Sequence, residues 1–437
     1  MKKIYLLTLS LFSVLTLSAQ WTVENLSSAR YALSSVQVGD SLLFIGGQLG
    51  NNDRSSTIDI YNTATQSWET PMNLSEARSY SAAVKGDSAI YIAGGITNSH
   101  PFRSNIVDIY KNGIWTTHTL PERIAIAQAV HVGSKIMIAG GTAYGANQYF
   151  RTNKVQIYDE LTGVWSTDTL TVGRSEIGVA TDGNIALFAG GMSGVNEITN
   201  RVDIYNYATD SWSIDSLSQA KTFVGGAYLD GKFYLAGGGM MGNTSTDLVE
   251  IYDGANWTTD TLSKARAGIA CVVIGNTVAF TGGGNLDVSN DSYNSYTKAA
   301  ELYNTSTDTW TNNYLNYSQY GHTAIAANGK IYVAGGAGSS GIQSRIHISD
   351  FPLAINDMEN SIFTIYPNPT NSAINIKVAE NQDVLEVVVR DIAGRICSAE
   401  KFNTTDMISI DIKGASGIYF IALTNGLERK IVKVIKQ

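Results

Sequence analysis

The sequence predicts an all-β protein: seven copies of one four-stranded unit, then a smaller β domain of different pattern. Three observations carry that prediction. Seven tryptophans recur along the chain (Trp21, Trp68, Trp115, Trp165, Trp212, Trp257 and Trp310), and seven Gly-Gly pairs, starting at Gly46, Gly94, Gly140, Gly190, Gly237, Gly282 and Gly335, alternate with them. Six of the seven Trp-to-pair distances are 25 residues, and the other, Trp68 to Gly94, is 26. A fixed period of this length marks one supersecondary unit that stacks on copies of itself. The last part of the chain lacks the period but keeps alternating apolar runs separated by turns, the pattern of half-buried strands.

The N-terminus reads as an export signal rather than part of the fold. Lys2 and Lys3 precede an apolar run, Ile4 to Leu17, and Ser18-Ala19 offers a small-residue cleavage site. Residues 1–19 are therefore expected to be a secretory signal peptide. The run is short for a membrane span and no second one follows, so no span is expected. Two cysteines in 437 residues make no disulfide framework. Cys271 falls in an apolar stretch and is read as a small buried hydrophobe.

Charge narrows the partners. The net charge is −8. The first twenty residues contribute +2 and residues 362–437 contribute +1, which leaves about −11 for the segment between. Such a surface repels phosphate backbones, and nucleic acid is excluded as an expected partner.

Each repeat has the same order of parts. In the second, an apolar-leaning run (Ser79 to Val84) meets a turn at Gly86-Asp87. A hydrophobic strand, Ile90 to Ala93, then ends on Gly94-Gly95. A variable loop leads to Ile106 to Tyr110, and a polar turn leads to the strand around Trp115. Four short strands joined by turns make an antiparallel meander. The first turn recurs with Gly beside a polar residue, as in Gly39-Asp40, Asp182-Gly183 and Asn328-Gly329, a pairing that suits tight hairpins. The third strand recurs as acid-Ile-Tyr, for example Asp59-Ile60-Tyr61 and Asp203-Ile204-Tyr205. Repeated carboxylates serve the repeat better than they serve catalysis, and each Tyr with its following Trp is expected to pack between neighbouring units.

Gly-Gly, a Tyr, a Trp five to seven residues on and an Arg about nine beyond it together resemble the kelch repeat, over roughly residues 21–349. The resemblance implies a seven-bladed β-propeller spanning 20–350. Lys221 and Gln319 replace the Arg in two units, and Gln156 replaces the acid in one. The seventh Gly-Gly unit has no Trp after its third strand, whereas Trp21 has no Gly-Gly strand before it. Trp21 to Leu26 is thus expected to supply the outer strand of the last blade and close the ring, which protects otherwise open sheet edges.

Residues 351–361 read as a linker. From 362 the chain shows Tyr366-Pro367-Asn368-Pro369 and, near its end, Gly417-Ile418-Tyr419. Its strands and turns indicate a small β-sandwich. Residues 362–437 resemble the C-terminal sorting domain of type IX secretion cargo. The resemblance implies that the type IX machinery is a partner, that the protein crosses both membranes and that it ends secreted or at the cell surface.

In a four-stranded blade, the entry to the first strand and the loop between the second and third lie on one face. Arg30, Arg78, Arg123, Arg174, Lys221 and Arg266 open the first strands, and the longest second-to-third loops hold Tyr144, Tyr149, Arg151, Tyr293 and Tyr296, with Phe102 in the equivalent loop of the second blade. These cations and aromatic tips are expected to share a rim that binds an unidentified glycan or protein. For most of the Arg series the favoured reading is that it pairs with the third-strand acids and knits neighbouring blades, since it recurs with the repeat. The five histidines are scattered, and no nucleophile triad or zinc spacing stands out. The reading is an exported, non-catalytic binding protein with no cofactor and no metal. A sugar-active kelch enzyme, such as a sialic-acid mutarotase or epimerase using residues such as Arg174 and Glu176, is the alternative.

Overall fold

The computed structural model describes residues 21–349 except 195 and 291, together with 363–366, 370–378, 385–391, 395–402, 407–424 and 429–436. The expected signal peptide and linker lie outside them. The chain divides into two compact units, Met1–Leu353 and Ala354–Gln437. No helix among the described residues is long and apolar enough to cross a membrane.

The first unit is a ring of seven β-meander blades. Blade 4 is typical, with strands Gly178–Thr181, Ile185–Ala189, Arg201–Asn206 and Ser211–Ser216 paired in that order. The innermost strands of blades 1 to 7 are Ser34–Val38, Ala82–Lys85, Gln128–Val132, Gly178–Thr181, Gly225–Leu229, Ala270–Ile274 and Thr323–Ala327. Each packs on the next, and the seventh packs on the first. The closure expected from the lone N-terminal Trp is present. Trp21–Asn25 pairs antiparallel with Arg345–Ser349, from Trp21 opposite Ser349 to Asn25 opposite Arg345. Trp21 is 6% exposed and packs with Leu302, Leu315 and Ile331.

Seven hydrophobic clusters fill the seven gaps between blades. The one between blades 3 and 4, for instance, joins Met137, Val155 and Leu170 to Phe188 and Tyr205. Each third-strand Tyr lies against its own blade's Trp, with ring centroids 5.0 Å apart in Tyr158–Trp165 and 5.1 Å in Tyr205–Trp212. Three indoles also reach back across the gap. Trp212, Trp257 and Trp310 donate Nε1–H to Asp168, Asp215 and Asp260 at 2.8, 2.9 and 2.7 Å. Each of these acids stands three residues after the preceding blade's Trp.

The Gly-Gly pair has a specific task. A Cβ on Gly140 would stand 2.5 Å from the Arg174 carbonyl, and one on Gly190 would stand 2.3 Å from that of Lys221. Without side chains, the second glycine of each pair donates its N–H to the entry of the next blade. The seven bonds run from Gly47, Gly95, Gly141, Gly191, Gly238, Gly283 and Gly336 to the carbonyls of Arg78, Ile124, Arg174, Lys221, Arg266, Gln319 and Arg30, at 2.8–2.9 Å. Close backbone approach at a positive φ is the reason glycine is required there. The same bonds identify which residue is equivalent in each blade.

At that position Arg30, Arg78, Arg174, Lys221 and Arg266 are all 0% exposed. They form ion pairs with Asp59, Asp108, Asp203, Glu250 and Glu301, at 2.6–2.7 Å in the last three. Arg174 also donates to the Phe188 carbonyl at 2.8 Å. Burial pushes its guanidinium below the ordinary range, against the opposing pull of Asp203. The pairing with third-strand acids expected for most of the series is therefore present, with one correction. Each pair lies within one blade. The link between blades comes from the same carboxylate, which also accepts an N–H from the incoming connector: Thr171 to Asp203 at 3.1 Å, Ser218 to Glu250 at 2.5 Å and Ser263 to Glu301 at 2.8 Å.

Two blades replace the pair altogether. Blade 3 has Ile124 opposite Gln156, and blade 7 has Gln319 opposite His347. Wherever the cation is missing the acid is missing too, as the cost of an unpaired buried charge requires. His347 is 0% exposed, and burial lowers its pKa to about 4; His322 in the same blade is likewise pushed to about 4 by burial. An unfolded histidine titrates near 6.5. Between these pH values the unfolded chain binds the extra protons. Their contribution to stability is thus complete above pH 6.5 and is lost as pH falls towards 4, up to about 3 kcal/mol per histidine. A His347→Gln variant is expected to show a smaller drop in urea midpoint between pH 7 and pH 5 than the parent protein. Equal drops would contradict this assignment.

The second unit has two sheets. One contains Phe363–Tyr366, Ala373–Val378 and Met407–Asp411; the other contains Ile396–Phe402, Leu385–Asp391, Gly417–Thr424 and Arg429–Lys436. Alternate residues from both sheets, among them Ile374, Ile376, Ile408, Val387, Val389 and Ile421, make one apolar core. This is the expected β-sandwich.

Candidate functional site

The entry to each inner strand runs beside the start of the second-to-third loop of its blade. Tyr31 bridges Gln48, Ser175 bridges Met192, and Tyr320 bridges Ala337. Both segments therefore lie on one face, as the meander order implies. They surround a cavity of about 480 Å³ at the propeller axis, lined by residues from all seven blades.

The lining follows a rule. Two residues after the buried Arg position stand Ala32, Tyr80, Ile126, Glu176, Phe223, Gly268 and Gly321, one per blade, each with φ between 52° and 65°. All seven line the cavity. The left-handed conformation is costly for non-glycine residues, a β-branched Ile above all, and here backbone bonds between neighbouring blades hold it: Tyr80 donates its N–H to the Ala32 carbonyl, Ile126 to Tyr80, Phe223 to Glu176, Gly268 to Phe223 and Ala32 to Gly321, at 2.6–3.1 Å. The buried Arg position is chemically uniform because it serves the repeat. The cavity-lining position varies from Gly to Tyr to Glu, as expected of residues that set the chemistry of a mouth.

Aromatic rings occupy one arc of that mouth. Tyr80 meets Tyr31 edge-on at 6.4 Å, Tyr31 meets Tyr320 at 6.1 Å, and Tyr320 stacks on Tyr293 at 4.2 Å and on Tyr296 at 5.3 Å. Met192, Ala267, Leu286 and Val288 form a small core among the loops, against which Phe223 and Tyr293 pack. The arc is polar at blades 3 and 4. Arg151 Nε donates to Ser175 Oγ at 3.0 Å, and Ser175 donates to the Glu176 carboxylate. His322 also lines the wall; its Nε2 lies 3.0 Å from the Thr281 carbonyl, and burial keeps the ring neutral at ordinary pH.

A second aromatic group stands on the loops of blades 2 and 3. The hairpin Thr142–Gly145/Gln148–Arg151 pairs Tyr144 with Tyr149, whose rings are 5.1 Å apart. Tyr149 donates its hydroxyl to the Pro101 carbonyl at 2.9 Å, and His100 packs edge-on against both Phe102 and Tyr144. Arg103 lies 4.8 Å from the Tyr149 ring centre.

Of the twelve residues expected at the rim, the structure places Tyr293 and Tyr296 in the arc of the mouth and Phe102, Tyr144 and Tyr149 in the second group, with Arg151 at the polar arc. Arg30, Arg78, Arg174, Lys221 and Arg266 are corrected: at 0% exposure they lie inside their blades and reach no ligand on the rim. Arg123 is corrected differently. It is exposed but does not belong to the series, because the buried position falls four residues after a recurring Leu, and four after Leu120 is Ile124. Counting from Leu26, Leu74, Leu170, Leu217 and Leu262 reaches the true series each time. The sequence reading did not include Tyr31, Tyr80, Phe223 and Tyr320. Tyr80 and Phe223 stand two residues after the buried Arg position and Tyr31 and Tyr320 one after it, and at both places the residue type changes from unit to unit.

On the opposite face, Asp87, His131 and Glu160 form the one group among the described residues with metal-ligating spacing. Its geometry has a structural cause. Glu160 of blade 3 accepts from Asp87 N, Ser88 N, Ser88 Oγ and the Tyr91 hydroxyl of blade 2 at 2.7–3.1 Å.

Comparison with known proteins agrees with both units. Residues 29–75 match the kelch motif, and residues 364–437 match the secretion system C-terminal sorting domain. The solved structure of YjhT is similar at 13% identity with a TM-score of 0.50, covering 74% of this chain and 95% of that one. At that identity the likeness speaks for the fold alone. No curated protein sequence matches the chain. The first unit is a kelch-type propeller, and the sorting domain indicates export to the cell surface or the medium.

Proposed function

We propose that this exported propeller is a carbohydrate-binding protein that takes its ligand at the axial mouth without transforming it. The observation that carries the reading is the tyrosine arc Tyr80–Tyr31–Tyr320–Tyr293, drawn from four blades and facing one cavity. Aromatic faces with polar edges suit sugar rings, which present apolar C–H faces and a belt of hydroxyls, and concave sites combine such walls with a few placed polar groups. Glu176 supplies such a group across the mouth, its carboxylate held by the buried Ser175, which Arg151 contacts in turn. The sorting domain supports delivery by the type IX machinery to a place where extracellular glycans are met.

On a glycan array, Tyr293→Ala is expected to weaken the best ligand at least tenfold, as is typical when a central aromatic anchor is truncated. Retained binding would remove the mouth as the site.

A second reading rests on Glu176, a buried carboxylate at the mouth whose partner Ser175 is in turn held by Arg151. A carboxylate so placed suits proton transfer to a sugar ring oxygen or anomeric hydroxyl, which is mutarotase or epimerase chemistry. Anomer interconversion of sialic acid followed by NMR decides the matter. Acceleration that disappears in Glu176→Gln makes the protein an enzyme, and no acceleration removes that reading for this sugar.

A further inference from the structure

The interior cations of the propeller are paired, whereas four arginines on the loop face of blades 1–3 are not. Arg54, Arg103, Arg123 and Arg151 make no ion pair among the described residues. They are also close to one another. Arg123 Nη1 donates to the Arg103 carbonyl at 3.3 Å, and burial first, with the neighbouring Arg54 charge, pushes the Arg103 guanidinium below its ordinary range against the opposing pull of Tyr149 and Glu176. Four guanidiniums without an ion-pair partner stand on one face of a chain with net charge −8, and the Glu176 carboxylate acts on Arg103 from beyond ion-pair distance. Beside them stand Phe102 at 40% and Tyr149 at 48% exposure. Tyr149 is not a loose tip: its hydroxyl is anchored on Pro101 and the Arg103 guanidinium lies over its ring.

We propose that this crest is a second binding surface, for the acidic groups of an anionic polysaccharide. The proposal extends the carbohydrate reading of the mouth to a separate surface and names the ligand class. Phe102 and Tyr149 offer ring faces to sugar units, while Arg103, Arg123 and Arg54 pair with carboxylate or sulfate groups along the chain. Guanidinium forks suit both anions, since each presents two oxygens to a pair of N–H donors. The crest is open rather than enclosed, which fits an internal stretch of polymer. Arg103 Nε also donates to Thr142 Oγ1 at 2.9 Å, and Arg151 holds Ser175, so polar groups continue from the crest to the mouth.

Native affinity electrophoresis of the full chain tests this, in gels containing polygalacturonate, dextran sulfate, neutral dextran or polyglutamate. Retardation is expected in one or both acidic polysaccharides and not in neutral dextran, and it should weaken with added salt. Which of the two retards the protein distinguishes carboxylate from sulfate. Arg103→Gln with Arg123→Gln is expected to raise the apparent Kd at least tenfold, and Tyr149→Ala at least threefold, with unchanged melting temperatures. No retardation by either acidic polysaccharide overturns the proposal. So does undiminished binding in the double variant. Equal retardation by polyglutamate, insensitive to Tyr149→Ala, overturns it in favour of charge alone. Loss in Tyr293→Ala but not in the arginine variant assigns the binding to the mouth, which sinks the crest and leaves the mouth reading standing.

Discussion

Removal of residues 21–28 is expected to abolish the native fold of the propeller. The deletion takes away the fourth strand of blade 7, all five register pairs with Arg345–Ser349, and the buried Trp21 and Leu26. It also bares the backbone edge of Arg345–Ser349, a template for pairing with other chains. The apolar clusters on both sides of blade 7 lose members at once, since Trp21 belongs to one and Leu26 to the other. The loss therefore exceeds that of a single buried aromatic, whose truncation costs about 3–5 kcal/mol. The expected observation is aggregation, or the absence of a cooperative thermal transition. Trp21→Ala, by contrast, should fold and melt early. A truncated protein that melts like the full chain would show that closure through the N-terminal strand contributes little.

The second large effect concerns a buried ion pair. Arg174→Ile leaves Asp203, 1% exposed, without its cation. Breaking one side of such a pair costs about 3–5 kcal/mol, because the remaining charge is desolvated and uncompensated. The double change Arg174→Ile with Asp203→Gln reproduces the Ile124/Gln156 combination that blade 3 already accommodates. It is expected to recover most of the loss, since a Gln side chain can still accept the Thr171 N–H. Urea midpoints of the two single variants and the double variant form a cycle. Additive losses would show that the pair is not a coupled unit.

The two experiments address different parts of what could be read from the chain. The closure strand was legible because a missing Trp at one end and a surplus Trp at the other are facts of counting. The Gly-Gly pairs, the Tyr–Trp contacts and the sandwich strands were legible for the same reason: they repeat, or they alternate. The mouth was only half legible. Tyr293, Tyr296, Tyr144 and Tyr149 stood out in long loops, but nothing in one dimension divides them between an axial arc and a separate crest. The recurring arginines stood as candidate ligand contacts, yet their regularity already favoured an interior bracing role for most of them. The shift of Arg123 by one residue shows how a repeat read by residue type alone can slip.

The period of the tryptophans and glycines determined by itself that this chain forms a seven-unit ring with a separate β domain behind it. That information is local: each unit needs only its own turns, strands and aromatic pair. Only the tertiary structure decided which side chains face solvent. Whether a cation is a ligand contact or an interior brace depends on a carboxylate about thirty residues away, as Arg174 depends on Asp203. Likewise a tyrosine becomes part of the cavity wall only when the ring closes and brings Tyr31 of blade 1 against Tyr320 of blade 7.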